Sequence, residues 1–514
     1  MVHSDMAFNS ILYRERPPSG VELIEQPDFF RDLNLDQIVE AVLADWKEYG
    51  LKCFFYSPLH DLEDVTYRQE VMQDFGSPLV MQAIMSFTGQ MRRMRSHLKD
   101  GRKLYYKRFV DRSFLGAVSI YCSAIRELSV ELAGVTITSC GLKAFREYLN
   151  EYVNSSSFST LTNETEQLRS ELSAIRYCML IGDGGITVRH YGGETDYSCT
   201  VEAIFDKFRG GAAAEHRVRL PNTERANHIE AGVLDRVALL FPEVFRTLGE
   251  FCISKSAFVD KTVERFDREI HFYISYLKHL QPFAQAGLTF CLPTVSKTKR
   301  VDVRCAYDLA LAGKLLTEKR QVVPNDLRLN DEERVFVVTG PNQGGKTTFA
   351  RMFGQLHYLA SLGCPVPASE ARLILFDQMF THFERREATV DLRGKLQDDL
   401  VRVHQTLEGA TADSIIILNE IFASTTVHDA LFLSKQILQL VTERDAVGVC
   451  VTFLDELSTL NDKMVSVVSN VDPEDPTIRT YKLERRPADG LAYAIAIAEK
   501  RRVTYRDIRE RLGV

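Results

Sequence analysis

Thr339-Gly340-Pro341-Asn342-Gln343-Gly344-Gly345-Lys346-Thr347-Thr348 decides the fold of this chain. From Gly340 onward the run satisfies G-x-x-x-x-G-K-[ST]. The β-branched stretch Val335 to Val338 precedes it, and a helical pattern continues toward Leu359. Strand, glycine-rich turn and helix are the parts a phosphate cradle needs. Glycines let backbone N–H groups close around phosphate oxygens, at a helix N-terminus whose dipole already favours anions. The expected nucleotide-binding residues are Gly340, Pro341, Asn342, Gln343, Gly344, Gly345, Lys346, Thr347 and Thr348. Lys346 is expected to reach the β- and γ-phosphates, and Thr347 to offer its hydroxyl to Mg²⁺.

Around this loop the texture from about residue 300 is α/β. Short apolar runs at Val335 to Val338, Ile415 to Leu418 and Val447 to Val451 alternate with helical stretches, the pattern of a parallel sheet. The run at Ile415 ends in Asn419-Glu420, where P-loop ATPases carry an Asp-Glu pair. Glu420 is the expected catalytic group, polarising the attacking water, and Asn419 joins Thr347 as the expected metal-facing pair. A unit charge at about 4 Å and an effective dielectric near 20 is worth roughly 4 kcal/mol as an upper bound, so Asn419 predicts weaker Mg²⁺ retention and slower turnover. The bland alternative is that Glu420 caps a surface strand.

The remaining sequence sets the context. The 514 residues leave room for about three domains at roughly 150 residues each, and 45% hydrophobic with 26% charged residues is a folded composition. With 63 Lys plus Arg against 70 Asp plus Glu, the net charge of -7 excludes a global attraction to phosphate, so any nucleic-acid contact is local. Ten cysteines show neither C-x-x-C pairs nor zinc spacing, no N-terminal stretch has the layout of a signal peptide, and no apolar run is long enough for a membrane span. The expected location is cytoplasmic.

Residues 1–45 read as a leader that packs on the core, 46–300 as a mostly helical domain, and 301–514 as the α/β domain. Within the helical part, Val259, Val263, Phe266, Ile270, Tyr273, Leu277 and Leu280 make a narrow apolar seam, suited either to a core helix or to a projecting coiled-coil arm. Around 176–200, alternating residues flank Gly182-Asp183-Gly184-Gly185 and predict a β-hairpin. A basic stretch, Arg92, Arg93, Arg95, Lys99, Arg102, Lys103, Lys107, Arg108 and Arg112, is interleaved with Tyr105, Tyr106 and Phe109. It suits phosphate neutralisation or a solvated helix face.

Several of these motifs together resemble the MutS family of DNA mismatch-repair ATPases. Thr339 to Lys346 is similar to the family's T-G-P-N-x-G-G-K loop, Gly363-Cys364-Pro365-Val366-Pro367-Ala368 to its G-x-x-V-P-A turn, and Phe376-Asp377-Gln378-Met379-Phe380-Thr381 to its I-D-x-I-F-T stretch. Val323-Pro324-Asn325-Asp326 resembles the segment bordering the adenine pocket. Ser57-Pro58-Leu59, Asp61-Leu62-Glu63 and Tyr67-Arg68-Gln69-Glu70-Val71 resemble the entry into the helical lever domain. The resemblance implies a multidomain protein: a mostly α-helical lever and core with a small β-containing clamp-like insertion at about 165–215, then an α/β P-loop NTPase domain of ABC/MutS type. It also implies ATP and Mg²⁺ as cofactors, DNA as partner, and a homodimer formed through the ATPase domains, with each site completed by the partner's signature segment. Under it, the seam reads as a lever and the hairpin as a clamp, where Arg189, Lys207 and Arg209 are placed toward DNA.

Departures from the family pattern temper these expectations. The leader leaves no place for a mismatch-reading domain with its aromatic wedge, and no nuclease domain is expected after Val514. Asn419 replaces an Asp, Phe453 stands where the family has a switch His, and no signature serine accompanies Gly394, Lys395, Leu396 and Gln397. Ser424-Thr425-Thr426 and Asp429-Ala430 do match the family's dimer-contact loop. The leading expectation is a dimeric, ATP-hydrolysing, DNA-structure-binding protein of repair or recombination. The alternative is a nucleotide-binding switch or scaffold with weak hydrolysis, acting on a protein or ribonucleoprotein.

Overall fold

The computed structural model describes residues 8–15, 25–102, 104–182, 185–195, 197, 228–384, 394–472, 474–475, 478–488 and 502–512. The chain divides into two compact units. Met1–Phe8, Phe75–Ile137 and Leu142–Asp267 make the first, and Asn9–Asp74, Thr138–Gly141 and Arg268–Val514 the second.

The first unit is mainly helical. Helix Pro78–Gly101 buries Val80, Ile84, Phe87, Met91 and Met94, alternating steps of four and three that put one apolar stripe on the neighbouring helix Lys107–Ala133. Helix Ser156–Ala174 opens at Ser155, whose hydroxyl accepts the Phe158 N–H at 3.2 Å. It leads into two antiparallel strands, β1 (Tyr177–Gly182) and β2 (Gly185–His190), with Tyr177 opposite His190 and Gly182 opposite Gly185. The expected hairpin is therefore present. A two-stranded ribbon is marginal alone, and this one leans on helix His228–Leu240: Val188 joins the cluster of Val237, Ala238 and Phe245, and the His190 ring meets Phe241 at 5.0 Å.

The narrow seam over 259–280 is corrected. From Lys261 on, this segment lies in helix Lys261–Gln285, where Val263, Phe266, Ile270, Tyr273 and Leu280 are buried as expected and Leu277 is half-buried, but Phe272, Ile274 and Tyr276 off the seam are buried as well. The helix is enclosed around most of its girth, because aromatic residues off the seam find partners too. Phe272 packs on Phe55 at 4.7 Å between ring centres, and the Tyr276 hydroxyl donates to the Pro365 carbonyl at 2.7 Å. A count of a and d positions does not register residues buried off the stripe.

Among the described residues the second unit carries ten strands: β3 (Thr294–Ser296), β4 (Val301–Ala306), β5 (Asn325–Leu329), β6 (Val335–Thr339), β7 (Glu370–Ile374), β8 (Met379–His382), β9 (Ile415–Asn419), β10 (Val447–Val451), β11 (Met464–Val471) and β12 (Arg479–Arg485). The larger sheet runs β12-β11-β6-β10-β9-β8, parallel except for β12, and the smaller runs β3-β7-β4-β5. All five residues of β6, β9 and β10 are buried, as a parallel sheet covered on both faces requires. Alternation along β6 sends Val335 and Val337 to the core shared with Ile437, Leu438 and Val441, and Phe336 to the opposite face against Phe349 and Phe353. Each such buried side chain contributes about 1.5–3 kcal/mol.

Helix Lys346–Ser361 lies on that second face and is in turn covered by residues 28–35. Phe30 meets Tyr358 edge-on at 5.1 Å, Gln355 donates to the Leu33 carbonyl at 2.8 Å, and Arg351 donates to the Asp32 carbonyl at 2.9 Å. Enclosed on both sides, this helix holds the loop at its start in a fixed place.

Candidate nucleotide-binding site

At the carboxyl end of β6 the chain turns through Gly340 and re-enters helix at Lys346. Gly345 caps that helix with φ at 97°, a left-handed conformation that costs glycine nothing. Gly344 is fixed by crowding: a Cβ there would lie 2.3 Å from Ser469 Oγ. Ser469, on the adjacent β11, donates its hydroxyl to the Gly344 carbonyl at 2.6 Å, so the neighbouring strand holds the loop shut from behind.

Lys346 is 4% exposed, and its Nζ donates to the carbonyls of Gly340 at 3.0 Å and Pro341 at 3.2 Å. The same ammonium sits 4.2 Å from the centre of the Phe453 ring, a cation–π contact. Burial pushes the Lys346 pKa down; Glu420 acts against this, and nearby Arg479 adds to it. The Thr347 hydroxyl donates to Asn419 Oδ1 at 3.0 Å. The next residue, Glu420, has φ at 54°, a left-handed turn at the end of β9, and its N–H donates to the Val451 carbonyl at 2.9 Å. Burial raises the Glu420 pKa, Lys346 pulls it back, and Glu384 raises it further.

These groups border a cavity of 430 Å³. Leu311, Leu315, Val322 and Val323 give it an apolar end; Lys346, Thr347 and Glu420 give it a polar end. Asn342, Gln343, Gly345 and Thr348 also line it, while Gly340, Pro341, Gly344 and Asn419 act from behind through the bonds already described. An apolar slot leading to loop amides, one ammonium and one hydroxyl suits a flat base joined to a phosphate chain. For a divalent ion, the donors at hand are the Thr347 hydroxyl and the Asn419 carbonyl, both neutral, and among the described residues no group of three His, Cys, Asp or Glu gathers elsewhere. Such a set fits a hydrated Mg²⁺ carried in on phosphate oxygens, not a site that holds the ion alone.

The MutS domain V family model matches residues 336–506. The DNA mismatch repair protein MutS of Staphylococcus aureus strains JH9, Newman and N315 is in each case 30% identical over 213 residues, 41% of this chain and 24% of the relative. Over that segment the chain resembles MutS proteins. Domain V is a P-loop ATPase-type domain, and the matched segment contains every residue of the loop Gly340 to Thr348. The alignment spans about a quarter of those relatives' length.

Other sequence expectations fare differently. The basic stretch is not one helix face: it is split between helices Pro78–Gly101 and Lys107–Ala133. Arg95 pairs with Asp267, and Arg108 lies over the Phe245 ring at 5.3 Å. Arg93, Lys99, Arg102, Lys107 and Arg112 are exposed, as is Tyr105 at 92%. Arg189 on β2 pairs with Glu194 at 2.9 Å; Lys207 and Arg209 lie outside the described residues. Gly394 precedes helix Lys395–Gly409, and residues 385–393 are likewise outside the described set. Thr426 caps helix Val427–Glu443 by accepting the Asp429 N–H at 3.2 Å, with Val427 and Phe432 exposed beside it.

Three contributors escaped the sequence reading: Ser469, Tyr481 and Arg479. Ser469 and Tyr481 close the cradle and cavity from β11 and β12, and Arg479 Nε donates to the Asn342 carbonyl at 3.1 Å. They stand more than 120 residues beyond the loop, and no local signal marks them.

Proposed function

We propose that this chain binds ATP with Mg²⁺ at the loop Gly340 to Thr348, hydrolyses it slowly, and uses the nucleotide state to control binding of DNA structures by a homodimer. The observation that carries the reading is the convergence of Lys346, Thr347 and Glu420 on one cavity with an apolar end, with Asn419 behind it bonded to Thr347.

Lys346 rests on two neutral carbonyls and a ring face. A triphosphate offers it charged acceptors, and such hydrogen bonds are roughly twice as strong, so the ammonium exchanges partners on binding. Thr347 and Asn419 would hold the metal, which supplies positive charge to the phosphate oxygens when bound. Glu420 takes the proton of the attacking water. Its raised pKa makes it a better base than an exposed carboxylate once ionised. Phe453 supplies no hydrogen bond where a His would, which favours slow turnover, and its cation–π contact with Lys346 is surrendered on binding.

The dimer surface proposed is the Ser424 to Ala430 loop with exposed Val427 and Phe432, and the DNA surface proposed is the helical unit with its β1–β2 hairpin and the exposed Lys99, Arg102 and Lys107. In this reading residues 46–300 serve as lever and core, with the clamp at about 165–215, and contact with DNA is dominated by phosphate and sensitive to salt. Binding of a fluorescent ATP analogue and steady-state phosphate release, in the native chain, Lys346→Ala and Glu420→Ala, test it. The expected pattern is loss of binding in Lys346→Ala and retained binding with lost turnover in Glu420→Ala. Absence of nucleotide binding by the native chain refutes it, and robust turnover abolished by both changes removes the alternative of a switch with little hydrolysis.

A further inference from the structure

We infer that the base end of the cavity takes guanine as well as adenine, so that GTP is bound about as tightly as ATP, and that Lys314 is the side chain that meets the guanine edge. The inference rests on the reading of the loop as a nucleotide site.

The walls of that end come from one helix and the turn behind it. Helix Leu309–Thr317, with its C-cap Glu318, brings Leu311, Lys314, Leu315 and Glu318 to the cavity, a spacing that puts all four on one helix face. Lys319 then takes a left-handed φ of 55°, its N–H donating to the Leu316 carbonyl at 3.1 Å, and the Arg320 N–H donates to the Leu315 carbonyl at 2.9 Å. This helix stop turns the chain back, so that Arg320, Gln321, Val322 and Val323 line the same cavity. The slot is apolar where Leu311, Leu315, Val322 and Val323 line it, and its polar side chains, Lys314, Glu318, Arg320 and Gln321, are exposed.

A strong choice between two purines needs a buried polar group that the wrong base leaves unpaired. The buried polar side chains that line the cavity away from its phosphate end are already engaged within the protein. The Tyr307 hydroxyl donates to the Thr289 carbonyl at 3.0 Å, and Asp308 Oδ1 accepts the Leu311 N–H at 3.0 Å and Gln355 Nε2 at 2.8 Å. Asn325 Nδ2 donates to the Tyr481 carbonyl at 3.1 Å, and its Oδ1 accepts the Leu483 N–H at 2.8 Å. The side chains left for the edge of the base are those of the exposed rim, which pair with water whenever a ligand does not use them. Arg320 pairs there with Glu318 at 3.3 Å, whereas among the described residues the Lys314 ammonium has no ion pair or hydrogen bond. Adenine offers an ammonium N7 alone, beside an amino group, and guanine offers N7 and O6 together. Lys314 therefore favours guanine, and the exposed rim loses nothing when one purine replaces the other.

The test is isothermal titration calorimetry of unlabelled ATP, GTP and CTP, each with Mg²⁺, on the native chain, Lys314→Ala and Lys346→Ala, with circular dichroism to confirm folding. In the native chain GTP is expected to bind within about tenfold of ATP. CTP, whose smaller ring buries less of the slot, is expected to bind more weakly than either purine. Lys314→Ala is expected to keep its ATP affinity within about twofold and to lose about threefold or more for GTP. An ATP preference of more than about tenfold in the native chain, CTP bound as tightly as the purines, or native GTP affinity in Lys314→Ala overturns the inference while leaving the loop as a nucleotide site. A native chain that binds none of the three, or a Lys346→Ala chain that binds as the native one does, brings down the nucleotide reading and this inference with it.

Discussion

Replacing Asn419 by Asp puts a carboxylate where the structure already points an oxygen. Asn419 Oδ1 accepts the Thr347 hydroxyl at 3.0 Å, and the two side chains have nearly the same shape, so the change adds charge without disturbing the packing of β9. A carboxylate about 4 Å from a bound cation, at an effective dielectric near 20, gains roughly 4 kcal/mol per unit of cation charge as an upper bound. Bridging water, relaxation and the proximity of the Glu420 carboxylate take back much of this, leaving about 1–2 kcal/mol, or roughly 5- to 30-fold. The half-saturating Mg²⁺ concentration for turnover, measured as phosphate release across a magnesium titration at fixed ATP, should fall by that factor in Asn419→Asp. Thermal unfolding shows whether the variant keeps its fold. A well-folded variant whose magnesium requirement stays within twofold of native refutes the assignment of Asn419 to the metal-facing position.

Three further outcomes are expected from the same geometry. Gly344→Ala places a Cβ against Ser469 Oγ and must break the 2.6 Å bond that closes the loop, so it should cost about 1–3 kcal/mol and lower the unfolding temperature by several degrees; an unchanged melting curve counts against the crowding seen there. Phe453→His removes a ring that covers Lys346 and restores a polar donor, so phosphate release should rise at least about fivefold while nucleotide affinity changes by less than about threefold; a native rate would show that Phe453 does not limit turnover. Glu420 has a raised pKa from burial, so it stays protonated at pH values where an exposed carboxylate is ionised. Because the base works only when ionised, turnover should rise with pH through that raised pKa, and a limb at the ordinary position of a free glutamate would contradict its role.

The legible parts of this molecule are those in which neighbouring residues carry the whole signal. Gly340 to Thr348 is contiguous, and its glycines, lysine and hydroxyl are needed in that order, so strand, loop and helix could be read directly. The β1–β2 hairpin was legible for the same reason, since Gly182 and Gly185 frame its turn. Asn419 could be named as a departure from the Asp-Glu pair of P-loop ATPases and Phe453 only through the family resemblance, and their contacts with Thr347 and Lys346 belong to the folded chain. Ser469 and Arg479 were illegible because strand order, not sequence distance, brings β11 and β12 to the loop. The helix Lys261–Gln285 shows the limit of periodicity: five of the seven seam residues are buried, yet Phe272, Ile274 and Tyr276 are buried off the stripe.

The coupling of nucleotide to DNA is tested most directly by fluorescence anisotropy of labelled homoduplex, mismatched and branched DNA. The native chain and Lys346→Ala are titrated with and without ATP at several salt concentrations. The expected result is a change of at least about tenfold in the affinity of the native chain for one of these ligands when ATP is added, steeply dependent on salt, and no change in Lys346→Ala. Equal affinities of the native chain in both conditions, at every salt concentration, would contradict nucleotide control of DNA binding.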